Sequence, residues 1–276
     1  FIDDLTLIIG ASGDFYDSDF TDTEDRDQLN PKLGLLWSPR PGTTIRGAVF
    51  RTLKRTLITD QTLEPTQIAG FNQFYDDVDS TEAWQYGGAI DQKLTSLFFA
   101  GLSFASRDME VPAPVGDSSV PNERLDWEEH LGRAHLYFIP QDWMGLSLEY
   151  LYEDFDFSQE FNLGAREVTT HRVPLGVNLF HPCGGSLSLK ATYWDQEGEF
   201  LPHLADFKPE NYVSSGDQFW TVDATVSYRL PKRYGLITFG ARNLFDQGFE
   251  YYETDNDNPR IQPQRSFFFS ITLELP

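Results

Sequence analysis

Residues Trp220 to Leu230, with the sequence WTVDATVSYRL, alternate strictly between apolar and polar side chains. One set is apolar or aromatic and comprises Trp220, Val222, Ala224, Val226, Tyr228 and Leu230. The other set is polar and comprises Thr221, Asp223, Thr225, Ser227 and Arg229. Because successive side chains of a β-strand point to opposite faces, this period of two predicts a strand with one apolar and one polar face.

The same alternation recurs along the whole chain, whereas helical periodicity is almost absent. It is present at residues 7–11, 33–37, 45–49, 84–90, 98–104, 134–138, 146–152, 173–179, 187–193, 237–241 and 267–275. The sequence therefore predicts about twelve strands of about ten residues each, which is the length that a tilted strand needs to cross a bilayer.

The connections between these stretches alternate in length. Short connections lie at 38–42, 92–95, 140–142, 181–185 and 231–235, and long ones lie at 17–30, 52–82, 107–132, 154–170, 195–218 and 246–265. This alternation is typical of an up-and-down outer-membrane barrel with tight periplasmic turns and long outer loops. We therefore expect residues 1–276 to form one all-β domain, an antiparallel up-and-down transmembrane β-barrel with both termini in the periplasm.

The composition leaves a soluble β-sandwich open as an alternative. The mean hydropathy is −0.41, and no window holds the roughly 18 consecutive apolar residues of a membrane helix. Barrel strands also score low on such scales, because half of their residues are polar. The aromatic content of 15% fits either interfacial girdles of a barrel or the core of a sandwich.

Charge and cysteine content exclude several classes of function. A net charge of −22 repels nucleic acid, so we expect no nucleic-acid partner. The single cysteine, Cys183, allows neither an intrachain disulfide nor a CxxC metal or redox pair. The acidic loops do not follow the calcium-binding loop pattern, and we interpret them as solvated. We expect no metal site and no cofactor.

The polar faces of the predicted strands indicate which side chains line the interior of the barrel. The lumen-lining candidates are Arg133, His135, Glu149, Arg172, Lys190, Asp223, Arg229 and Arg242. Two interpretations stay open: a path for a polar substrate, or side chains that pair with one another and fill the barrel. His135 and His171 are the histidines on strands predicted to face the lumen, and the orientation of His171, which precedes Arg172, stays open by one residue. No nucleophile and base stand out together, so we expect no catalytic residues and no enzyme.

The long connection 52–82 begins with a basic cluster, Arg51, Lys54 and Arg55, and ends in acidic residues. Guanidinium and ammonium groups at the outer rim can bind the phosphates of lipopolysaccharide. An ion pair with acidic residues of the same connection explains the cluster equally well.

The C-terminal third contains the phrase Asn243-Leu244-Phe245-Asp246, followed by Tyr251-Tyr252-Glu253 and then Pro263-Gln264-Arg265 before the last strand. It resembles the last hairpin in the C-terminal barrel region of TonB-dependent outer-membrane receptors. Residues 30–51 look like an earlier hairpin of the same barrels. Residues 50–73 resemble a subgroup of receptor-like barrels that is linked to tetratricopeptide repeats in the periplasm.

The resemblance is incomplete in ways that matter for the domain organisation. Receptors of this family have roughly twice as many strands, an N-terminal plug and an energy-coupling box, and none of these is visible in the sequence. The resemblance therefore implies the C-terminal part of a longer protein or a reduced relative.

Two functions follow as hypotheses. The first is a transport conduit or receptor of the outer membrane, in contact with its lipid and lipopolysaccharide. The second is a structural barrel with a closed lumen that anchors a periplasmic repeat domain or an envelope protein complex. Conductance through the lumen distinguishes them.

Overall fold

A computed structural model of the chain describes residues 4–16, 26–54, 67–73, 77–112, 124–157, 164–201, 211–254 and 260–274. The strands are β1 Leu5–Tyr16, β2 Arg26–Arg40, β3 Thr43–Leu53, β4 Gln67–Ile68, β5 Phe71–Asn72, β6 Glu82–Lys93, β7 Phe98–Pro112, β8 Arg124–Gln141, β9 Met144–Asp156, β10 Ala165–Phe180, β11 Gly185–Phe200, β12 Val213–Arg229, β13 Gly235–Arg242 and β14 Ser266–Leu273. Across these described ranges, no helix is long and apolar enough to span a membrane.

Twelve of these strands form one antiparallel sheet, and β4 and β5 form a separate two-stranded hairpin. The order of the strands in the large sheet follows their order along the chain: β1, β2, β3 and then β6 to β14. This order confirms the predicted up-and-down topology with twelve strands. Within the described residues, β1 and β14 are the two ends of the sheet and do not pair with each other.

The two faces of the sheet are the reverse of those in a soluble protein. One face, the outer face, exposes large apolar side chains; Ile9, for example, is 75% exposed and Leu102 is 59% exposed. The opposite face, the inner face, buries polar side chains such as Asn30, which is 1% exposed. A sandwich would bury its apolar residues between two sheets. The structure instead has an apolar outside and a polar inside, as a membrane barrel requires.

Short turns join the strands at one end of the sheet. They connect β2 to β3, β6 to β7, β8 to β9, β10 to β11 and β12 to β13. In the turn between β10 and β11, Gly184 has a φ of +95°, which is a left-handed conformation that glycine adopts without strain. The His181 Nδ1 atom accepts a hydrogen bond from the Cys183 N–H at 3.2 Å. The predicted short turns are therefore confirmed, and we call this the turn end.

Several strands are longer than predicted at the opposite end, which we call the loop end. β8 has 18 residues and β12 has 17, so parts of the predicted loops 107–132 and 195–218 are strand. Residues of these extensions pair across the sheet, for example Glu199 with Ser214. The predicted length of about ten residues counted only the part that crosses a bilayer.

Candidate functional site

The eight lumen-lining candidates all lie on the inner face, but the structure divides them among separate groups. Arg133 and Glu149 form an ion pair on β8 and β9 with an N–O distance of 2.7 Å. Lys190 and Asp223 form another on β11 and β12 at 3.1 Å. In each pair a cation lies beside a carboxylate, as the pairing interpretation expects.

His135 belongs to a third group, towards the turn end. Its Nε2 atom lies 3.9 Å from the carboxylate of Asp91, which also forms an ion pair with Arg46 at 3.0 Å. Arg229 is exposed near the turn end of β12. The Arg242 guanidinium lies over the ring of Phe268, 5.7 Å from its centroid.

His171 does not face the lumen, so that prediction is wrong. Its ring stacks on Tyr150 on the outer face, and the Tyr150 hydroxyl lies 2.8 Å from the His171 Nδ1 atom. The neighbouring Arg172 has the inner-face position instead. Adjacent residues of a strand face opposite sides of the sheet, so His171 and Arg172 cannot both line the lumen, and the structure gives that position to Arg172.

Arg172 belongs to a buried ion-pair network near the loop end that the sequence did not reveal. Glu153 accepts hydrogen bonds from Arg172, at 2.5 Å, and from Arg260. On the adjoining strands, Arg107 contacts Glu129 at 2.8 Å and Asp77 at 2.5 Å. Three cations and three carboxylates thus balance one another, and two of the six, Asp77 and Arg260, come from the long connections rather than from the barrel strands.

The β4–β5 hairpin folds onto the inner face. Ile68 and Phe71 of the hairpin are buried in a cluster with Phe50 of β3 and Ala89 of β6. Space is tight where they pack, since a Cβ atom at Gly87 would collide with the Phe71 ring. Glycine at this position is what allows the hairpin to approach the strands so closely.

A second segment, which we call the returning loop and define as residues 243–254, covers the inner face of β11 and β12. The Phe249 ring stacks on Phe219 with 4.4 Å between centroids, and Tyr251 meets the Trp194 ring edge-on at 5.4 Å. The Gln196 side chain donates to the Tyr252 carbonyl at 3.0 Å and accepts from the Tyr252 N–H at 2.7 Å. The loop is therefore held by aromatic packing and by a two-way amide contact.

The phrase Asn243-Leu244-Phe245-Asp246 starts this loop. The Asn243 side chain is 2% exposed, and it accepts from the Gln247 N–H at 2.9 Å and donates to the Gln247 carbonyl at 3.0 Å. Its own N–H donates to Asp223 at 3.0 Å. Asp246 accepts from the Arg265 N–H at 2.8 Å. The phrase that carries the family resemblance thus sets the direction in which the returning loop leaves β13.

The basic cluster Arg51, Lys54 and Arg55 is compensated by acidic residues where the structure describes it. Arg51 pairs with Glu82, and its guanidinium lies 5.8 Å from the centroid of the Trp84 ring. Lys54 lies 3.8 Å from Asp79. Arg55 lies outside the described residues. The ion-pair interpretation therefore describes Arg51 and Lys54.

The part of the chain that the structure describes contains no group of three or more His, Cys, Asp or Glu side chains placed to hold a metal ion.

The similarity of this chain to known proteins lies in its fold and not in its sequence. No protein-family model matches the sequence, and no curated protein matches it. Among solved structures, the FrpB iron transporter from Neisseria meningitidis (F3-3 variant) is 14% identical, with a TM-score of 0.60 over 89% of this chain and 39% of that chain. The toluene transporter TodX from Pseudomonas putida is 10% identical, with a TM-score of 0.36 over 98% of this chain and 78% of that chain.

The similarity to FrpB is one of fold alone. The chain spans 39% of the length of that protein. The twelve strands of the large sheet of this chain follow one another in antiparallel up-and-down order, and their outer face is apolar. The chain therefore has the all-β fold of an outer-membrane β-barrel.

Proposed function

We propose that this chain is the wall of an outer-membrane transport conduit or receptor, similar in kind to the TonB-dependent receptors. The observation that carries the proposal is the reversed sheet: apolar side chains exposed outside, and an inner face of charged and polar side chains that two loops cover near one end. A wall of this kind is stable in lipid and presents hydrogen-bonding groups to whatever passes inside. The turn end would face the periplasm, and the loop end would face the outside.

The inner face would act as a gated path. In the middle of the strands, ion pairs such as Arg133–Glu149 are partly exposed and offer donors and acceptors to a polar solute. Near the loop end, the β4–β5 hairpin and the returning loop cover the wall. A solute would have to displace or pass these loops, and the Arg107 and Glu153 ion pairs that hold Asp77 and Arg260 would set the cost of that step.

The chain would be part of a larger barrel. The edges of β1 and β14 do not pair with each other among the described residues, and an unpaired strand edge in lipid leaves backbone groups without hydrogen bonds. FrpB has more than twice the length of the matched region. We propose that further strands pair with both edges and that this chain supplies the C-terminal part of the barrel.

A structural barrel is the second candidate. The observation that favours it is that the β4–β5 hairpin and the returning loop pack against the inner face, where they could also close the lumen permanently. In that case the barrel would anchor a periplasmic repeat domain or another envelope protein. Outer-membrane lipid and lipopolysaccharide would be its other partners.

Replacing Gly87 by leucine should raise the conductance of the full-length protein in a planar bilayer. A side chain at Gly87 meets the Phe71 ring, so the larger residue should push the β4–β5 hairpin off the inner face. The matched control is Gly88→Leu, because a Cβ atom at Gly88 meets nothing within 4 Å and the outer face accepts leucine. A conduit predicts a larger conductance for Gly87→Leu alone. An unchanged, closed lumen in both variants would favour the structural barrel.

A further inference from the structure

A cavity of about 400 Å³ lies at the loop end, between the returning loop and the inner face of β11 and β12. The rings of Phe200 and Tyr252 form part of its wall, with 5.7 Å between their centroids. Tyr251, Asp217 and Glu250 also line it. None of the site residues predicted from the sequence lines this cavity. Its walls come from segments that are more than thirty residues apart, such as those that the Asp217–Glu250 hydrogen bond joins.

The walls of this cavity are held in place without a ligand. The Asp217 carboxylate accepts one hydrogen bond from the Glu250 N–H and one from the Gln218 N–H, each at 2.8 Å. The two-way contact of Gln196 with Tyr252 fixes the other side. A site whose walls are already ordered loses little conformational entropy when a ligand binds.

The charge of the lining selects the ligand. Two carboxylates, Asp217 and Glu250, line the cavity, and among the residues that the structure describes no Lys, Arg or His lines it. Glu250 is exposed. An adjoining cavity of about 780 Å³ shares Asp217 and adds Glu167 and Glu197. An anionic ligand would meet repulsion from both cavities, whereas a cation would be attracted.

The apolar part of the lining defines the rest of the ligand. Aromatic rings beside carboxylates attract an organic cation through two interactions: the ring quadrupole favours the cation, and the carboxylate carries the opposite charge. The Tyr251 hydroxyl is buried and has no hydrogen-bond partner among the described residues. Burial raises the pKa of Tyr251 above its ordinary value, so the tyrosine stays neutral and its ring adds no charge to the lining.

We propose that this cavity, formed by Phe200, Tyr251, Tyr252, Asp217 and Glu250, binds an organic cation with a flat apolar body. The inference rests on the proposed receptor function and specifies the class of its ligand. Binding here would place the ligand directly against the returning loop. The loop that covers the inner face would thus also be the loop that contacts the ligand.

Isothermal titration calorimetry of the full-length protein in detergent tests the inference with three probes that share one indole ring. Tryptamine carries an ammonium group, tryptophol a hydroxyl and indole-3-acetate a carboxylate. Tryptamine should bind saturably, tryptophol about tenfold more weakly, and indole-3-acetate not at all, since the loss of one charge contact near aromatic rings is worth on the order of one factor of ten. Equal binding of tryptamine and tryptophol would overturn the assignment.

Variants locate the binding. Glu250→Gln should weaken tryptamine binding by about five- to tenfold, and Tyr252→Leu by a similar factor, because each removes one of the two attractions. Asp126→Asn is the matched control: it removes one exposed carboxylate at the loop end of β8, outside the cavity, and should leave binding unchanged. The difference in electrophoretic mobility between unheated and heated samples on an SDS gel would show whether each variant is folded. If Glu250→Gln binds tryptamine as the native protein does, the site is not this cavity.

Calorimetry tests the cation site and conductance tests the conduit, so either hypothesis can be rejected without the other. Absence of tryptamine binding together with a conductance increase in Gly87→Leu would remove the cation site and leave the conduit. Tryptamine binding with a closed lumen in every variant would leave a ligand-binding barrel without transport.

Discussion

Replacing Leu148 by arginine should destabilise the barrel by about 2–4 kcal/mol, the cost of placing a cation on the lipid-facing side near the middle of the membrane. Leu148 is 43% exposed on the outer face, where it lies beside Leu136 of β8 and Leu175 of β10. The three leucines form a row in the centre of the crossing segments. The free energy of unfolding, measured by urea titration in lipid vesicles, gives the effect directly.

Ser147→Arg is the control for this substitution. Ser147 is the preceding residue and points to the inner face, where its hydroxyl packs over Gly176 of β10. Glu149, two residues along the same face, can accept hydrogen bonds from the new guanidinium. This variant should lose less than half as much stability as Leu148→Arg. Equal losses at the two positions would contradict the assignment of the faces.

Replacing Arg107 by methionine should cost about 3–5 kcal/mol, because removing one member of a buried ion pair leaves unpaired charge in the protein interior. The Arg107 and Glu129 side chains are each 7% exposed, and Asp77 depends on the same guanidinium. Loss of the contact with Asp77 should also loosen the connection between β3 and β6. We expect faster proteolysis of that connection as a second readout.

Arg133→Met is the comparison for the ion-pair experiment. Arg133 also pairs with a carboxylate, that of Glu149, but its side chain is 46% exposed. A solvent-exposed pair of this kind contributes about 0–1 kcal/mol. If the two variants lost the same stability, burial would not be what makes the Arg107 network strong, and the gating role assigned to it would lose its basis.

The strands and their two faces could be predicted from the sequence because the alternation of apolar and polar residues is a local pattern. Trp220 to Leu230 shows its two faces within eleven residues, and the structure pairs the strand on both sides as expected. The extensions at the loop end were missed because their polar residues look like those of a solvated loop. Gln196, for instance, is polar but 3% exposed, since it holds the returning loop.

The candidate site was predicted only in part because its contacts are long-range. Glu153 and Arg260 are 107 residues apart in the sequence, and no period or spacing connects them. A weak signal did exist for the covering loops: Ile68 and Phe71 are apolar residues within a polar connection, and Gly87 interrupts the inner face of β6. The Arg172 position was identified because its strand alternates cleanly, whereas its partners came from other segments.

The central claim is that every second residue of a crossing strand faces lipid while the residues between face an aqueous interior. Single cysteines placed from 220 to 229 in a Cys183→Ser background, each carrying a spin label, test it by collisions with oxygen, which dissolves in lipid, and with a water-soluble nickel chelate. We predict that oxygen accessibility peaks at 220, 222, 224, 226 and 228, and that nickel accessibility peaks at the positions between them. Two profiles without opposite phase, or low access of both reagents to the apolar set, would contradict the account.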